Sequence, residues 1–392
     1  MPELRALRLT GAKILRDGTL VDDVLCIAGT KITDSAAIDI DLRGYYILPG
    51  IVDLHGDGFE RHLQPRPNVH IDKRVGLIST DAELAANGIT TAVLAQCWSW
   101  LGGRRSPEYA TDLLKVWSAD KHRSLVDMRF QIRYETHMLE SAETMLQVLL
   151  EHNVEYLVFN NHINDAIDAQ RTAPSGFAAY ATEAGRTTSQ HATILEEMLS
   201  NSFGVNESLE KIAATLKFHG IRFGSHDDAT ASKRRYFDGL GADICEFPTT
   251  IAAAEQARAL NNAILMGAPN VMRGGSQSGN VSAQNLIEAG LCDALVSDYY
   301  YPAMQGAVWA LSDRGILSFE QAWALISTKP AAILGLGDRG QLTKSARADF
   351  VILNPETRRI EATISNGHFA ALSGEAGVRF SRPATPLSIA AE

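Results

Sequence analysis

The 392-residue sequence predicts an α/β fold, and three observations carry this prediction. Eight short, continuous apolar runs recur through the middle of the chain, as expected of strands buried on both faces of a parallel sheet. Amphipathic helical segments separate most of these runs. The two chain ends differ from the middle, because they are rich in β-branched residues and turns. We therefore predict a TIM (β/α)8 barrel over residues 48–336 and a small composite β-sandwich domain formed by residues 1–47 and 337–385.

The two chain ends share one pattern. The amino-terminal segments LRLTGAKIL and VDDVLCIAGTKITD combine β-branched residues with glycine-containing turns, which indicates short antiparallel strands. The carboxyl-terminal segments ADFVILN and IEATISNGHFAAL repeat this composition. We expect the two ends to pair into one small sheet domain.

Each of the eight apolar runs ends in polar or glycine residues. In chain order they read ILPGIVDLHGD, TTAVLAQ, RFQIRYETH, YLVFNNH, IRFGSHDD, ICEFPTT, AILMGAPN and ALVSDYY. Eight βα units over about 250 residues fit a barrel better than an open, doubly wound sheet, which remains the alternative. Residues 163–220 exceed one connecting helix, and we expect an insertion there that acts as a lid or a specificity element.

Charge and composition exclude several classes of protein. The chain has 36 Lys and Arg against 46 Asp and Glu, a net charge of −10, which argues against nucleic-acid binding. No apolar stretch approaches the roughly 18 residues of a membrane span. The four cysteines lie far apart, so neither a disulfide framework nor a cysteine-based zinc site is indicated. The amino-terminal residues lack a signal-peptide pattern, and we expect a cytoplasmic protein.

Histidines and carboxylates stand where the predicted strands end. Barrel chemistry is carried by the carboxyl ends of the strands, so these side chains should converge. Residues i and i+2 of a strand point to one side, so His55 and Asp57 could grip one cation. A single strand-end histidine is more often a core or surface residue, but several on one rim indicate a metal site. The predicted ligands are His55, Asp57, Glu135, His162, His226 and Asp298, while Glu246 lies on the sixth run.

Several sequence blocks resemble a known superfamily. LPGIVDLHGD resembles the first-strand signature of the amidohydrolases, metal-dependent hydrolases built as a TIM barrel with a small β domain. RGQLTKSARADFVILN followed by ISNGHFA is similar to their carboxyl-terminal segment. GDGFERHLQPRPNV, SHDDAT, EFPTT, LMGAPNVMRGGSQSGN and SDYYYP resemble the α-D-ribose 1-methylphosphonate 5-triphosphate diphosphatases of phosphonate metabolism, the carbon–phosphorus lyase pathway.

The resemblance implies both an activity and a ligand set. The activity is hydrolysis of a phosphoanhydride of a ribose 5-triphosphate with release of pyrophosphate. The family's first-strand His-x-Asp matches His55 and Asp57, and its glutamate, two histidines and final aspartate carry over onto Glu135, His162, His226 and Asp298. The chain departs from the family pattern at Gly56, where the family often has Thr, and after His162. These departures concern loops that touch the substrate, so they leave its identity open.

The ligand types also define the chemistry to expect. We expect one or two divalent cations per chain, with zinc favoured and manganese or iron compatible with the same ligands. Such ions lower the pKa of water toward about 7 and polarise the oxygen under attack. Asp298 is the predicted general base. The same machinery serves attack on phosphorus or on a carbonyl carbon.

Two loops could recognise an anion. Arg66 stands between Pro65 and Pro67, which would hold its guanidinium stiffly, and Lys73 follows nearby. Residues 273–276 combine a guanidinium and a hydroxyl with glycines that let backbone N–H groups approach an oxyanion. A solvated loop with turn glycines is the alternative. The predicted substrate-binding residues are Arg66, Lys73, Arg273, Gly274 and Ser276.

The leading functional hypothesis is a diphosphatase that takes a small phosphorylated substrate. An amidohydrolase or deaminase that cleaves a C–N bond is the alternative within the same class. A non-enzymatic metal-binding protein is disfavoured, because Asp298 and an open metal site would then be superfluous. We expect no nucleic-acid or membrane partner, and we expect a homo-oligomer.

Overall fold

A computed structural model describes residues 6–66, 69–275 and 279–381. Its strands, in chain order, are β1 (Leu7–Thr10), β2 (Lys13–Arg16), β3 (Thr19–Asp22), β4 (Leu25–Ala28), β5 (Lys31–Thr33), β6 (Ile38–Asp41), β7 (Tyr46–Pro49), β8 (Ile51–Gly56), β9 (Ile89–Trp98), β10 (Asp127–Glu135), β11 (Tyr156–Asn160), β12 (Arg222–His226), β13 (Ile244–Glu246), β14 (Ala263–Gly267), β15 (Ala294–Val296), β16 (Phe350–Asn354), β17 (Arg359–Ser365) and β18 (His368–Leu372).

One or more helices follow each strand from β8 to β15, and a last helix follows β18. They are α1 (Glu60–Leu63), α2 (Lys73–Ala86), α3 (Pro107–Asp120), α4 (Ala142–His152), α5 (Ile163–Thr172), α6 (Pro174–Glu183), α7 (Thr188–Ser200), α8 (Val205–Phe218), α9 (Ala231–Leu240), α10 (Ile251–Ala259), α11 (Ala268–Arg273), α12 (Ala283–Glu288), α13 (Ala303–Asp313), α14 (Phe319–Ala324), α15 (Thr328–Ile333) and α16 (Gly374–Ser381). Among the described residues, no helix has the length and apolarity that crossing a membrane requires.

Strands β8 to β15 form one parallel sheet in sequential order, and a backbone bridge between Gly56 and Asp298 joins its two outer strands. This confirms the predicted (β/α)8 barrel, and the open-sheet alternative is wrong. The strands read as unbroken apolar runs because both of their faces are covered. All ten residues of β9 are buried, for example. One apolar cluster fills the barrel interior, with members on β8, β9, β11 and β13 to β15, and a larger cluster packs helices against the outside.

Both chain ends build the second unit, as predicted. A four-stranded sheet has the order β5-β4-β1-β6, and a six-stranded sheet has the order β18-β17-β16-β7-β2-β3. Their apolar faces share one core, to which Leu9 and Ile27 contribute from the first sheet and Ile47 and Ile352 from the second. Because β7 pairs in parallel with β2 and antiparallel with β16, it joins the two chain ends within one sheet.

The exact division of the chain stays a prediction. The predicted sandwich comprises residues 1–47 and 337–385, of which 1–5 and 382–385 lie outside the described residues. Strand β7 continues the six-stranded sheet to Pro49, and β8 begins the barrel at Ile51. Gly50 therefore stands at the junction of the two sheets.

The long connection between β11 and β12 holds four helices. Helix α8 packs against α4, α9 and β12, which is the position of an ordinary barrel helix. Helices α5, α6 and α7 pack on one another instead. Their small separate core contains Ile163, Phe177 and Leu195 and includes Trp100 from the loop after β9. The insertion proper is thus a three-helix layer fastened to the mouth of the barrel.

One buried carboxylate makes fold stability depend on pH. Asp81 on α2 accepts hydrogen bonds from the backbone N–H groups of Leu125 (2.6 Å) and Val126 (3.1 Å), just before β10. Burial outweighs these two bonds and raises the pKa of Asp81 to about 6. The folded protein therefore holds this proton more tightly than the unfolded chain does, so this group's contribution to stability increases as pH falls from about 6 toward 4.

We expect Asp81→Asn to remove this pH dependence. Relative to the variant, the wild-type free energy of unfolding should rise by about 2 kcal/mol between pH 7.5 and pH 4.5. Chemical denaturation of both proteins at the two pH values measures the difference. Asp112→Asn on α3 is the control, because that side chain is largely exposed. A wild-type-to-variant difference that is constant with pH would contradict the prediction.

Candidate active site

The junction between the first and last barrel strands positions the site. The Asp298 N–H donates to the His55 carbonyl (3.0 Å), and the Asp57 N–H donates to the Asp298 carbonyl (2.8 Å). Below them, the buried Asp53 carboxylate accepts hydrogen bonds from the Ser297 N–H (2.9 Å) and hydroxyl (2.6 Å). Backbone pairing and this carboxylate therefore bring three of the predicted ligands to one place.

The close approach of these strands explains the glycine between His55 and Asp57. A Cβ atom at Gly56 would lie 2.7 Å from the Ser297 hydroxyl oxygen and 2.8 Å from an Asp53 carboxylate oxygen. A threonine, which the resembling family often has here, would require both groups to move. The departure at position 56 thus has a packing cause.

Three residues that follow strands on this rim have left-handed backbone conformations. They are Asp227 (φ 56°), Phe247 (φ 50°) and Asp298 (φ 54°), after β12, β13 and β15. Non-glycine residues adopt this region at a cost and mostly where surrounding structure fixes them. Each conformation turns the chain sharply at the mouth of the barrel. Such strain gathers at functional sites, and here three instances occur on one rim of the barrel, two of them after the adjacent strands β12 and β13.

Two histidines and one glutamate could hold a metal ion. Ligand atoms of His55, His226 and Glu246 all lie within 4.8 Å of one another, and the three side chains are buried. Imidazole nitrogens and carboxylate oxygens are the donors that zinc and similar ions prefer. His55, His226, Asp57 and Asp298 also line one cavity of about 200 Å³. The donor set fits a divalent cation.

Glu246 on β13 fixes the orientation of His55. One of its oxygens lies 2.8 Å from His55 Nδ1, and the other accepts from Tyr156 (2.6 Å) and Gln131 (2.7 Å). Burial lowers the pKa of His55, but the Glu246 carboxylate outweighs this effect and raises it. With Nδ1 facing Glu246, the Nε2 atom of His55 is left for a ligand. The sequence pattern places Glu246 on the sixth run but does not assign it to the site.

Arg133 brings a buried guanidinium to the same place. It lies two residues before Glu135 on β10, so both side chains point to one side of the strand. Its Nη1 atom is 3.5 Å from an Asp57 oxygen, and its Nη2 atom is 3.4 Å from His226 Nε2. The other ring nitrogen of His226 lies 2.8 Å from Asp227. The strand-end pattern does not single out Arg133, although its i+2 relation to Glu135 is a signal that could have indicated it.

Glu135 and His162 form a pair of their own. The Glu135 carboxylate contacts His162 Nδ1 and accepts the His162 N–H (3.1 Å). Burial raises the pKa of Glu135, but His162 and Arg133 outweigh it and lower the pKa. This pair lines an adjacent cavity of about 350 Å³ beneath the insertion, and Arg133 lines both cavities. The six predicted ligands therefore divide into four in one cavity and two in the next.

The carboxyl group of Asp298 has the raised pKa that a proton acceptor near neutral pH requires. Burial is the main cause, the negative charge of Asp57 adds to it, and together they raise the pKa of Asp298 to about 6. A base works best with a pKa near the working pH. The raised pKa suits the role predicted for Asp298, and a cation bound beside the carboxylate would lower it.

Of the predicted substrate-binding residues that the structure describes, Arg273 lines a cavity of the site, whereas Arg66 and Lys73 do not. Arg273, at the end of α11, lines the 200 Å³ cavity with Asn270, Asn280 and Tyr299, and Gly274 ends the same helix with φ 75°. Ser276 lies outside the described residues. Arg66 and Lys73 do not line either cavity in the described part of the chain. Arg66 is exposed and forms a backbone bridge with Val69, and Lys73 begins α2 with its ammonium 3.8 Å from Asp112.

Fold and site together define the class of protein. The amidohydrolase family model matches residues 80–367, and the chain belongs to this family. It is a hydrolase of the amidohydrolase superfamily. The chain is 31% identical over 339 residues to the alpha-D-ribose 1-methylphosphonate 5-triphosphate diphosphatase of Escherichia coli strain K12. The alignment covers 82% of this chain and 86% of that relative.

Solved structures share the fold at low sequence identity. The beta-aspartyl dipeptidase of Fervidobacterium islandicum AW-1 in complex with a dipeptide superposes with a TM-score of 0.61 at 14% identity, over 95% of this chain and 98% of that chain. A triazine hydrolase variant gives a TM-score of 0.62 at 14% identity, over 94% and 95% of the two chains. At these identities the similarity speaks to the fold alone.

Proposed function

We propose that this protein hydrolyses a phosphoanhydride of a ribose 5-triphosphate and releases pyrophosphate. The observation that carries the proposal is the similarity to the Escherichia coli diphosphatase over four-fifths of the chain. The charges of the site support the proposal, because Arg133 and Arg273 line the same cavity as the candidate metal ligands His55 and His226. Guanidinium groups match phosphate oxygens in geometry and charge.

The residues of the site would divide the chemistry between them. His55, Asp57, His226 and Asp298 would hold one divalent cation, with Glu135 and His162 available to a second. Such ions would supply Lewis acidity toward a phosphoryl oxygen and toward water. Asp298 would accept the proton of the attacking water at its free carboxylate oxygen. Arg133 and Arg273 would neutralise charge that develops on the phosphoryl oxygens.

Finer assignments belong to the same proposal. We propose zinc as the native ion, one or two ions per chain, and a place in phosphonate metabolism in the cytoplasm. A small phosphorylated molecule would be the substrate, and the protein would act as a homo-oligomer. C–N bond hydrolysis is the alternative that the experiment must separate, because the same ligand types serve both reactions.

The test compares the two reactions in one purified protein. We expect zinc- or manganese-loaded protein to release pyrophosphate from ribose 5-triphosphates and to release no ammonia or amino acid from amides and dipeptides. Chelator-treated protein is the control and should be inactive until metal is restored. Absence of triphosphate turnover by the metal-loaded protein would refute the diphosphatase proposal, and turnover of amides would establish its rival.

A further inference from the structure

The cavity beneath the insertion combines basic and aromatic side chains. Its volume is about 350 Å³, and it lies between the barrel mouth and helices α5 to α7. The side chains that matter for ligand recognition are Arg105, Arg133, Glu135, His162, Tyr180 and His191. Arg133 also lines the 200 Å³ cavity that contains His55 and His226, so a substrate held at these histidines can extend into this space.

Arg105 is a cation placed in this wall without a matching carboxylate. Its neighbour Arg104 lies 3.0 Å from Glu60 and 3.2 Å from Glu183, which balance its charge. Arg105 instead lies over the ring of Tyr180, 5.2 Å from the centroid, and forms no salt bridge within the described ranges. Its Nε atom is buried and lacks a hydrogen-bond partner.

Two further donors in the same wall are also unsatisfied. The Nε atom of Arg133 is buried without a partner, and both ring nitrogens of the fully buried His191 lack one. His191 packs against Trp100 and Phe177 at centroid distances of 5.2 and 5.0 Å, so the insertion core holds its ring in place. Buried polar groups normally have partners, and unpaired ones call for an explanation. Arginine Nε atoms without partners also occur elsewhere in the described residues, so the fully buried ring of His191 is the more telling feature, and with the two guanidinium groups it leaves hydrogen-bond donors beside this cavity for a ligand.

We propose that this cavity is an oxyanion subsite that takes a phosphate or phosphonate group of the substrate, with Arg105 as its specificity-determining residue. The inference rests on the proposed function and names where a second anionic group of that substrate would bind. Two guanidinium groups can each form paired hydrogen bonds to a tetrahedral oxyanion. Two carboxylates also line the cavity: Glu135 faces His162, and Asp165 on α5 is exposed to solvent.

Two parts of the proposed substrate carry tetrahedral oxyanions of the kind this subsite would bind. One is the pyrophosphate that leaves, and the other is a phosphonate on the far side of the sugar. Arg105 lies in the loop after β9 and Tyr180 on α6, so the subsite exists only because the insertion covers the barrel mouth. This assigns the insertion a role in substrate choice.

The test measures anion binding and turnover in matched variants. Pyrophosphate and methylphosphonate are titrated separately by calorimetry into metal-loaded wild type, Arg105→Met and Arg171→Met. Arg171 is the control, because it lies on α5 of the same insertion in an exposed ion pair with Asp168. We expect Arg105→Met to weaken the affinity for at least one of the two anions about tenfold or more. We expect Arg171→Met to leave both affinities unchanged. The anion whose affinity falls in Arg105→Met identifies the part of the substrate that binds in this cavity.

A second variant guards against misfolding. Arg105→Lys keeps the charge and loses the paired hydrogen bonds, so its affinity should fall between wild type and Arg105→Met. Unchanged affinity for both anions in Arg105→Met, or equal losses in Arg171→Met, would overturn the subsite. If pyrophosphate binding depends on Arg105 but no triphosphate is turned over, the subsite stands and the proposed function fails. If the triphosphate is turned over and Arg105→Met leaves its KM unchanged, the proposed function stands and the subsite fails.

Discussion

Asp298→Asn should reduce kcat/KM for the triphosphate by about 10³-fold while the protein keeps its metal. A positioned base contributes roughly 10²–10⁴-fold, and the amide of asparagine cannot accept the proton. The amide oxygen can still face a cation, and the backbone bonds of Asp298 to His55 and Asp57 do not involve the side chain. Steady-state kinetics with metal analysis of the same preparations measures both effects.

The control for this variant is Asp313→Asn. Asp313 is about half exposed and pairs with Arg358, and within the described part of the chain neither residue lines the two cavities of the site. We expect this variant to keep wild-type kcat/KM and metal content. If Asp298→Asn retained turnover, Asp298 would not be the base. If Asp298→Asn lost its metal, the residue would act chiefly as a ligand.

The barrel could be predicted from the sequence because its strands are buried on both faces. Covered faces favour apolar side chains at most positions, so β9 (Ile89–Trp98) reads as a largely apolar run that contains TTAVLAQ, in which Thr90, Thr91 and Gln96 are buried polar exceptions. The edges were harder to predict. Strand β7 is as apolar as β8, and only backbone pairing with Phe350 assigns Pro49 to the sandwich.

The site could be predicted only in part, for a geometric reason. Residues at strand ends, such as His55 and Asp298, are visible because polarity begins where the apolar run stops. Arg133 lies within β10, and Glu246 ends β13 but is followed directly by Phe247 and Pro248, so at neither position does an apolar run visibly stop. Their partners come from other strands, and no sequence spacing encodes a bond between β13 and β8.

Proximity in sequence is also a weak guide to which residues line a cavity. Arg66 and Lys73 follow the first strand closely, but α2 carries Lys73 toward Asp112 on α3. Arg105 lies in an unremarkable loop, and only the packing of α6 against that loop gives it Tyr180 as a neighbour. Insertions of this kind have no barrel register from which a side-chain direction could be inferred.

Glu246→Gln should weaken metal affinity about 10- to 100-fold and leave much of kcat intact at saturating metal. Both Glu246 oxygens already face protein groups, since one meets His55 and the other meets Tyr156 and Gln131. This arrangement makes Glu246 a positioning residue that holds the His55 ring, and such partners typically contribute 10–100-fold to metal affinity. Glutamine keeps the shape but loses the charge that raises the pKa of His55.

Tyr156→Phe is the matched control, because it removes one hydrogen bond to Glu246 and leaves the carboxylate charge. We expect a smaller loss of metal affinity in this variant than in Glu246→Gln, measured by competition with a chromogenic chelator. A Glu246→Gln protein that stays inactive at saturating metal would instead make Glu246 a direct ligand. His55, His226 and Glu246 would then form the metal centre themselves, and Asp57 would be left to Arg133 alone.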